Sequence, residues 1–153
     1  MKINGLLQPE DIVPELSAVT KEGVLQELAA KVAERHAGLD REELLKILLE
    51  RERLGSTGIG DGIAIPHGKL KRLAKPVLAF VRSLKGVDYD ALDGRKVNLL
   101  FLIMASEDAV GVHLKMLARI SRILKDSDVR QTLLEAPDAA AIFETIREQD
   151  SRY

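Results

Sequence analysis

The chain carries three histidines, no cysteine and one glycine-dense stretch, and its available chemistry gathers where these meet. His67 lies between Pro66 and Gly68 near the end of Gly55-Ser56-Thr57-Gly58-Ile59-Gly60-Asp61-Gly62-Ile63-Ala64-Ile65-Pro66-His67-Gly68-Lys69. An imidazole, with an unperturbed pKa of about 6.5, is neutral and nucleophilic near physiological pH and can accept a phosphoryl group without a metal. The alternative for a lone histidine is surface decoration or a satisfied core position. Gly68 beside it would let another molecule approach. The glycines at 55, 58, 60 and 62 read either as a flexible hairpin turn or as a nest whose N–H groups face an anion. His113 sits on the apolar row of its own segment. It is either a buried structural histidine or an inward donor near a helix N-terminus, where an anion is also welcome. Arg51 is either one more solvated helix charge or a guanidinium fork shaped to neutralise a phosphoryl group.

Other chemistries fit less well. Between Gly62 and Gly68 lie five residues, where a Walker A loop needs four between its glycines, and Gly58-Ile59-Gly60-Asp61-Gly62 is not G-x-G-x-x-G. Two imidazoles without an H-E-x-x-H or similar ligand set argue against a metal, so none is expected. No G-x-S-x-G elbow supports a serine hydrolase. The absence of cysteine excludes disulfides, thiol catalysis and thiolate metal sites, and fits a reducing cytosol.

The segments that must position these residues follow from periodicity. Residues 12–18 contain a short candidate edge strand broken by Pro14. Thr20 caps a helix over about 21–36, with Val24, Leu28 and Val32 on its apolar stripe, ended by His36 and Gly38. Asp40-Arg41-Glu42-Glu43 reads as a capping box opening a second helix, with Leu44, Leu45, Leu48 and Leu49 inward and Gly55 at its C-terminal cap. Ile63-Ala64-Ile65 is a short strand, which Pro66 should end, leaving His67 at a strand-to-loop junction. Residues 76–81 and 97–104 are further strands, the second apolar on nearly every residue and so covered on both faces. A helix follows over about 112–125, then a short one capped by Ser127 to about 135, then a last one capped by Asp138. The order helix, helix, three strands, helices predicts an α/β or α+β sandwich, a small mixed sheet covered by helices. With no linker, repeat or low-complexity tract, residues 1–153 read as a single domain large enough to bury about two-thirds of its unfolded surface.

The run from Arg51 to Lys69 resembles the active-site signature of the mannitol/fructose-type EIIA proteins (type 2) of the bacterial phosphoenolpyruvate-dependent phosphotransferase system (PTS). It is most similar to the nitrogen-regulatory branch, EIIA-Ntr, through S-T-G-I-G followed by G-I-A-I-P-H-G-K. His113-Leu114-Lys115-Met116-Leu117-Ala118 matches the family's second histidine motif. The spacings, 16 residues from Arg51 to His67 and 46 from His67 to His113, agree as well. The resemblance implies a mixed five-stranded sheet with helices on both faces, a three-layer sandwich. It implies a phosphotransferase component and phosphocarrier in which His67 takes a phosphoryl group at Nε2 from an HPr-like phosphocarrier protein. Arg51 and His113 would flank that group. Ser56, Thr57, Gly58, Gly60, Gly62 and Gly68 would support the loop and phosphoryl site. Two departures stand out: Asp61 where Asn is common, placing negative charge near the site, and Ser106 where a proline is common.

The resemblance leaves two functions to separate. One is a regulatory phosphocarrier whose two states bind different proteins, with potassium-transport or sensor-kinase components as family-level targets. The other is a sugar-specific EIIA passing its phosphoryl group to an EIIB. A chain of 153 residues leaves no room for a fused EIIB or EIIC, which favours the first. A binding module that has lost the chemistry is the third reading, and retention of Arg51, His67 and His113 argues against it. No cofactor is expected. A formal net charge of −1 and few aromatic residues argue against nucleic acid, and no run approaches a membrane span or a signal-peptide core, so a cytoplasmic location is expected.

Overall fold

The computed structural model describes residues 2–153. The helices are α1 (Lys21–Arg35), α2 (Arg41–Arg53), α3 (Val110–Lys125), α4 (Ser127–Glu135) and α5 (Ala139–Ser151). The strands are β1 (Ile12–Val13), β2 (Gly58–Gly60), β3 (Ile63–Ala64), β4 (His67–Leu70), β5 (Val77–Val87) and β6 (Val97–Ser106). They form one mixed sheet in the order β1-β5-β6-β3-β2, with β4 also paired to β6. Because β3 and β4 both run parallel to β6, the sheet is five strands wide, as the resemblance implies.

Alternation along the two long strands divides the interior. Ala79 and Val81 of β5 and Leu100, Leu102 and Met104 of β6 point to one core, which α1 and α2 cover. Leu78, Phe80, Leu99, Phe101 and Ile103 point to a second core beneath α3, α4 and α5. Period-2 side chains on a strand buried on both faces produce the unbroken apolar run seen in the sequence. Across the centre, Phe80 and Phe101 are register partners whose rings meet edge to face, 5.6 Å apart.

The helix boundaries follow local capping. Thr20, Asp40 and Asp138 each accept a hydrogen bond from the N–H three residues on. Only the Asp40 half of the anticipated capping box is made. The helix expected to start from a Ser127 cap is capped by Asp126, whose carboxylate accepts from the N–H groups of Asp128 and Val129. An ionised carboxylate next to the positive end of the helix is the stronger cap.

Two expectations near His67 are corrected. The first concerns Pro66, which does not end the strand. Ile63 pairs with Leu99, and His67, four residues on, pairs with Ile103, also four residues on, so the row continues in one register. The proline lacks a donor, but its carbonyl still accepts from the Ile103 N–H at 3.0 Å. His67 therefore opens a strand instead of trailing one. The second concerns Gly68, which is buried and does not make room for a visitor. A Cβ added there would lie 2.5 Å from Ile47 Cγ2 and 3.2 Å from Met104 Cε, so the missing side chain is what lets α2 pack against β4.

Gly68→Ala should therefore destabilise the fold by about 1–3 kcal/mol through overpacking. Denaturant unfolding checks this, and removing the obstructing branch with Ile47→Ala in the same chain should make the double variant less destabilised than the sum of the two.

Candidate functional site

Since β4 pairs only with β6, it forms the rim of the sheet at this end. The helices α2 and α3 come from opposite faces and meet across that rim, leaving an open cleft of about 1070 Å³. Arg51 from the last turn of α2, His67 from the start of β4 and His113 from the first turn of α3 all line it. Residues 46 apart in sequence are thereby brought together, with ring centroids of His67 and His113 5.3 Å apart at 77°.

His67 is half-buried, and both of its nitrogens are engaged. Nδ1 lies 2.8 Å from the carbonyl of Ile65. A carbonyl can only accept, so Nδ1 carries the proton and Nε2 keeps its lone pair. Arg51 donates from Nε to that lone pair at 3.2 Å, and its Nη1 donates to the carbonyl of Gly55 at 2.8 Å. Gly55, at φ +146°, turns that carbonyl back over the end of α2. Burial pushes the His67 pKa below its ordinary value, against the Ile65 carbonyl, which favours the charged ring; the Arg51 cation adds to the lowering. His113 is only 4% exposed, and its Nδ1 has no hydrogen-bond partner. Burial first, then the fields of His67 and Lys69, push its pKa down to about 4. The site thus holds two neutral imidazoles beside a guanidinium, an arrangement that can deliver a nucleophilic nitrogen and receive anionic oxygens.

The glycine loop is placed differently from the expectation that it faces the anion. Ser56, Thr57, Gly58, Gly60 and Gly62 do not line the cleft. Gly58 and Gly60 belong to β2, and Gly62 accepts from the N–H groups of Asn98 and Leu99 through its carbonyl. The N–H groups of Thr57, Gly58 and Asp61 are spent on Glu52, Ser56 and Asp93. Of the two open readings of this stretch, a hairpin turn describes it better than a nest. Asp61 lies at the exposed tip of that turn, at φ +57°, where Asp and Asn are the side chains that best tolerate the left-handed region. Its charge therefore falls outside the cleft. Ser106, the other departure, ends β6 beside a separate, smaller pocket.

Sequence reasoning missed two backbone carbonyls, Gly55 and Ile65, because a carbonyl carries no residue-type signal. It also missed Lys69, which lines the cleft two residues beyond His67 and so shares its face of β4. Strand alternation within His67-Gly68-Lys69 was the available signal. Among the described residues no helix is long and apolar enough to cross a membrane.

Residues 5–149 match the family model described as phosphoenolpyruvate-dependent sugar phosphotransferase system, EIIA 2. The chain is 44% identical over 146 residues to a nitrogen regulatory protein of Bradyrhizobium diazoefficiens, covering 95% of each. It is 40% identical, again over 95% of each, to a fructose-specific EIIA component of the phosphotransferase system from Haloferax volcanii. The crystal structure of nitrogen regulatory protein IIA-Ntr from Neisseria meningitidis superposes with a TM-score of 0.88 at 30% identity, covering 94% of this chain and 98% of that one.

The lowered histidines also set a pH dependence. Unfolded, His67 and His113 titrate at about 6.5, whereas folded they resist protonation. Below pH ~6.5 the unfolded chain therefore binds more protons, and stability falls as pH drops toward about 4. Unfolding curves at pH 7 and pH 5 check this, and His113→Gln should flatten the difference.

Proposed function

The chain belongs to the EIIA type 2 family of the phosphoenolpyruvate-dependent sugar phosphotransferase system, whose members are phosphotransferase components, and on that premise we propose that it is a phosphohistidine carrier. His67 accepts the phosphoryl group at Nε2 from the phosphohistidine of an HPr-like protein. The observation that carries this reading is the tautomer: Nδ1 is tied to the Ile65 carbonyl, so the remaining lone pair on Nε2 points into the cleft toward the Arg51 fork.

The step needs no base. Arg51 first gives up its hydrogen bond to Nε2. The Nε2 lone pair then forms the new N–P bond as the donor's N–P bond breaks, and the electrons of the broken bond stay on the donor imidazole. The Nδ1 proton stays where it is, hydrogen-bonded to a carbonyl that steadies the positive charge building in the ring. Arg51 is then beside the phosphoryl oxygens as their charge spreads, with His113 on the other flank. Gly68 contributes by keeping α2, and hence Arg51, close to β4. A phosphoryl group adds close to two negative charges at one spot, enough to change which protein docks on the rim. The regulatory reading, in which such docking controls other proteins in the cytoplasm, is supported by the similarity to nitrogen regulatory proteins. Potassium-transport and sensor-kinase components are the target classes to try first. The likeness to a fructose-specific EIIA component supports a second reading, delivery of the phosphoryl group to an EIIB.

Incubation with phosphoenolpyruvate, enzyme I and an HPr-type carrier, followed by intact mass at neutral or alkaline pH, should show the gain of one phosphate. His67→Ala should remain folded and unlabelled, and Arg51→Gln should label at least 10²-fold more slowly. Normal labelling of His67→Ala would overturn the assignment, and rapid passage of the label to an EIIB domain would favour the transport role over the regulatory one.

A further inference from the structure

Arg51 and His67 belong to different elements, and each depends on a backbone carbonyl, Gly55 for the first and Ile65 for the second. One buried residue ties both carbonyls to the fold. Thr57, 3% exposed, follows Gly55 by two positions, and its own carbonyl accepts from the Ile65 N–H at 3.0 Å. Its N–H donates to the Glu52 carboxylate at 3.1 Å, its hydroxyl donates to the same carboxylate, and Tyr89 Oη lies 3.0 Å from that hydroxyl. Glu52 is the residue after Arg51, its side chain only 5% exposed, and Lys21 at 3.1 Å balances its charge. Lys21 also lies over the Tyr89 ring, 5.0 Å from its centroid. Every polar group of this cluster is thus satisfied, in a setting where a loose arrangement would be costly.

We propose that Thr57, held by Glu52 and Tyr89, is the positioning residue that sets Arg51 and His67 in register for phosphoryl acceptance. The pull on one side runs from Thr57 through Glu52 and Gly55 to the Arg51 guanidinium. On the other side it runs through the Ile65 peptide, whose N–H binds Thr57 and whose C=O selects the His67 tautomer. Thr57 touches neither the cleft nor the reacting atoms, so it acts only through these two arms. An unmet hydroxyl here would let the two arms drift independently, and small misplacements of a reacting group are expensive in rate. This inference rests on the phosphocarrier reading for its kinetic consequence, while its effect on the His67 tautomer stands apart from that reading.

The test compares the wild-type chain with Thr57→Val, Thr57→Ser and Tyr89→Phe. Phosphorylation by an HPr-type donor gives kcat and KM, and ¹⁵N NMR of the unphosphorylated His67 ring gives the tautomer. Thr57→Val should lower kcat by roughly ten- to a hundredfold at nearly unchanged KM and weaken the preference for the Nδ1–H form. Thr57→Ser, which restores the hydroxyl, should recover most of both, and Tyr89→Phe should show a smaller loss of the same kind. A folded Thr57→Val with wild-type kcat and an unshifted ring spectrum would overturn the proposal. Should Thr57→Val fail to fold, Tyr89→Phe decides, and wild-type values for both readouts there would overturn it equally. A wild-type chain that takes no phosphoryl group would refute the carrier reading instead, and the ring spectra would still decide the role of Thr57.

Discussion

The hydrogen bond between His67 Nδ1 and the Ile65 carbonyl is the constraint on which the site depends. It costs no residue identity, since any residue at 65 would supply the carbonyl, yet it decides which nitrogen is nucleophilic and which way the ring faces. It exists because Pro66 does not break the strand. The chain passes from β3 to β4 in one register along β6, and the ring of His67 turns back over the peptide two residues earlier. A continuous strand at the rim of a sheet is a rigid mount, which a loop would not be.

The electrostatics of the cleft are arranged for an anion that arrives from elsewhere. Both imidazoles are held neutral, mainly by burial, so the resident positive charge comes from Arg51 and Lys69. Before the phosphoryl group arrives, Arg51 is kept in place by Gly55 and by the very lone pair that must attack. That contact both aims the guanidinium and blocks premature chemistry, and an incoming phosphoryl group offers the fork stronger, charged acceptors than a neutral ring nitrogen. The orphan Nδ1 of His113 is a buried polar atom kept at some energetic cost, which is usual where a functional group must wait for a partner.

Packing and chemistry share the same residues. Gly68 is small because α2 presses Ile47 against it, and that closeness brings Arg51 within reach of His67. Glu52 closes the end of α2 by binding Thr57, and the loop so formed offers Arg51 its second anchor. The glycine-dense stretch is thus mostly architecture. It forms a narrow hairpin at one edge of the sheet, and its contribution to the cleft passes through Gly55, Thr57 and Ile65 instead of through N–H groups presented to a ligand.

Much of this was legible in the chain alone. The apolar spacing of α1, α2 and α3, the capping residues Thr20, Asp40 and Asp138, and the two-faced apolar run of β6 are local signals, because helix and strand periods and caps act over a few residues. The chemistry of His67 was legible for a similar reason: its residue type sits within an unusual run of neighbours. Other features could not be read locally. The strand passing through Pro66 depends on β6, some 36 residues away by pairing, which holds the row in register across the missing donor. The inward role of Gly68 depends on a helix packed against it. The tautomer of His67 and the two anchors of Arg51 depend on backbone carbonyls, which every residue possesses and no sequence distinguishes. Residue types and their spacing therefore settled what chemistry this chain could carry, whereas only the tertiary structure decided which atoms face one another, because carbonyl directions and close approaches between elements are properties of the assembled fold.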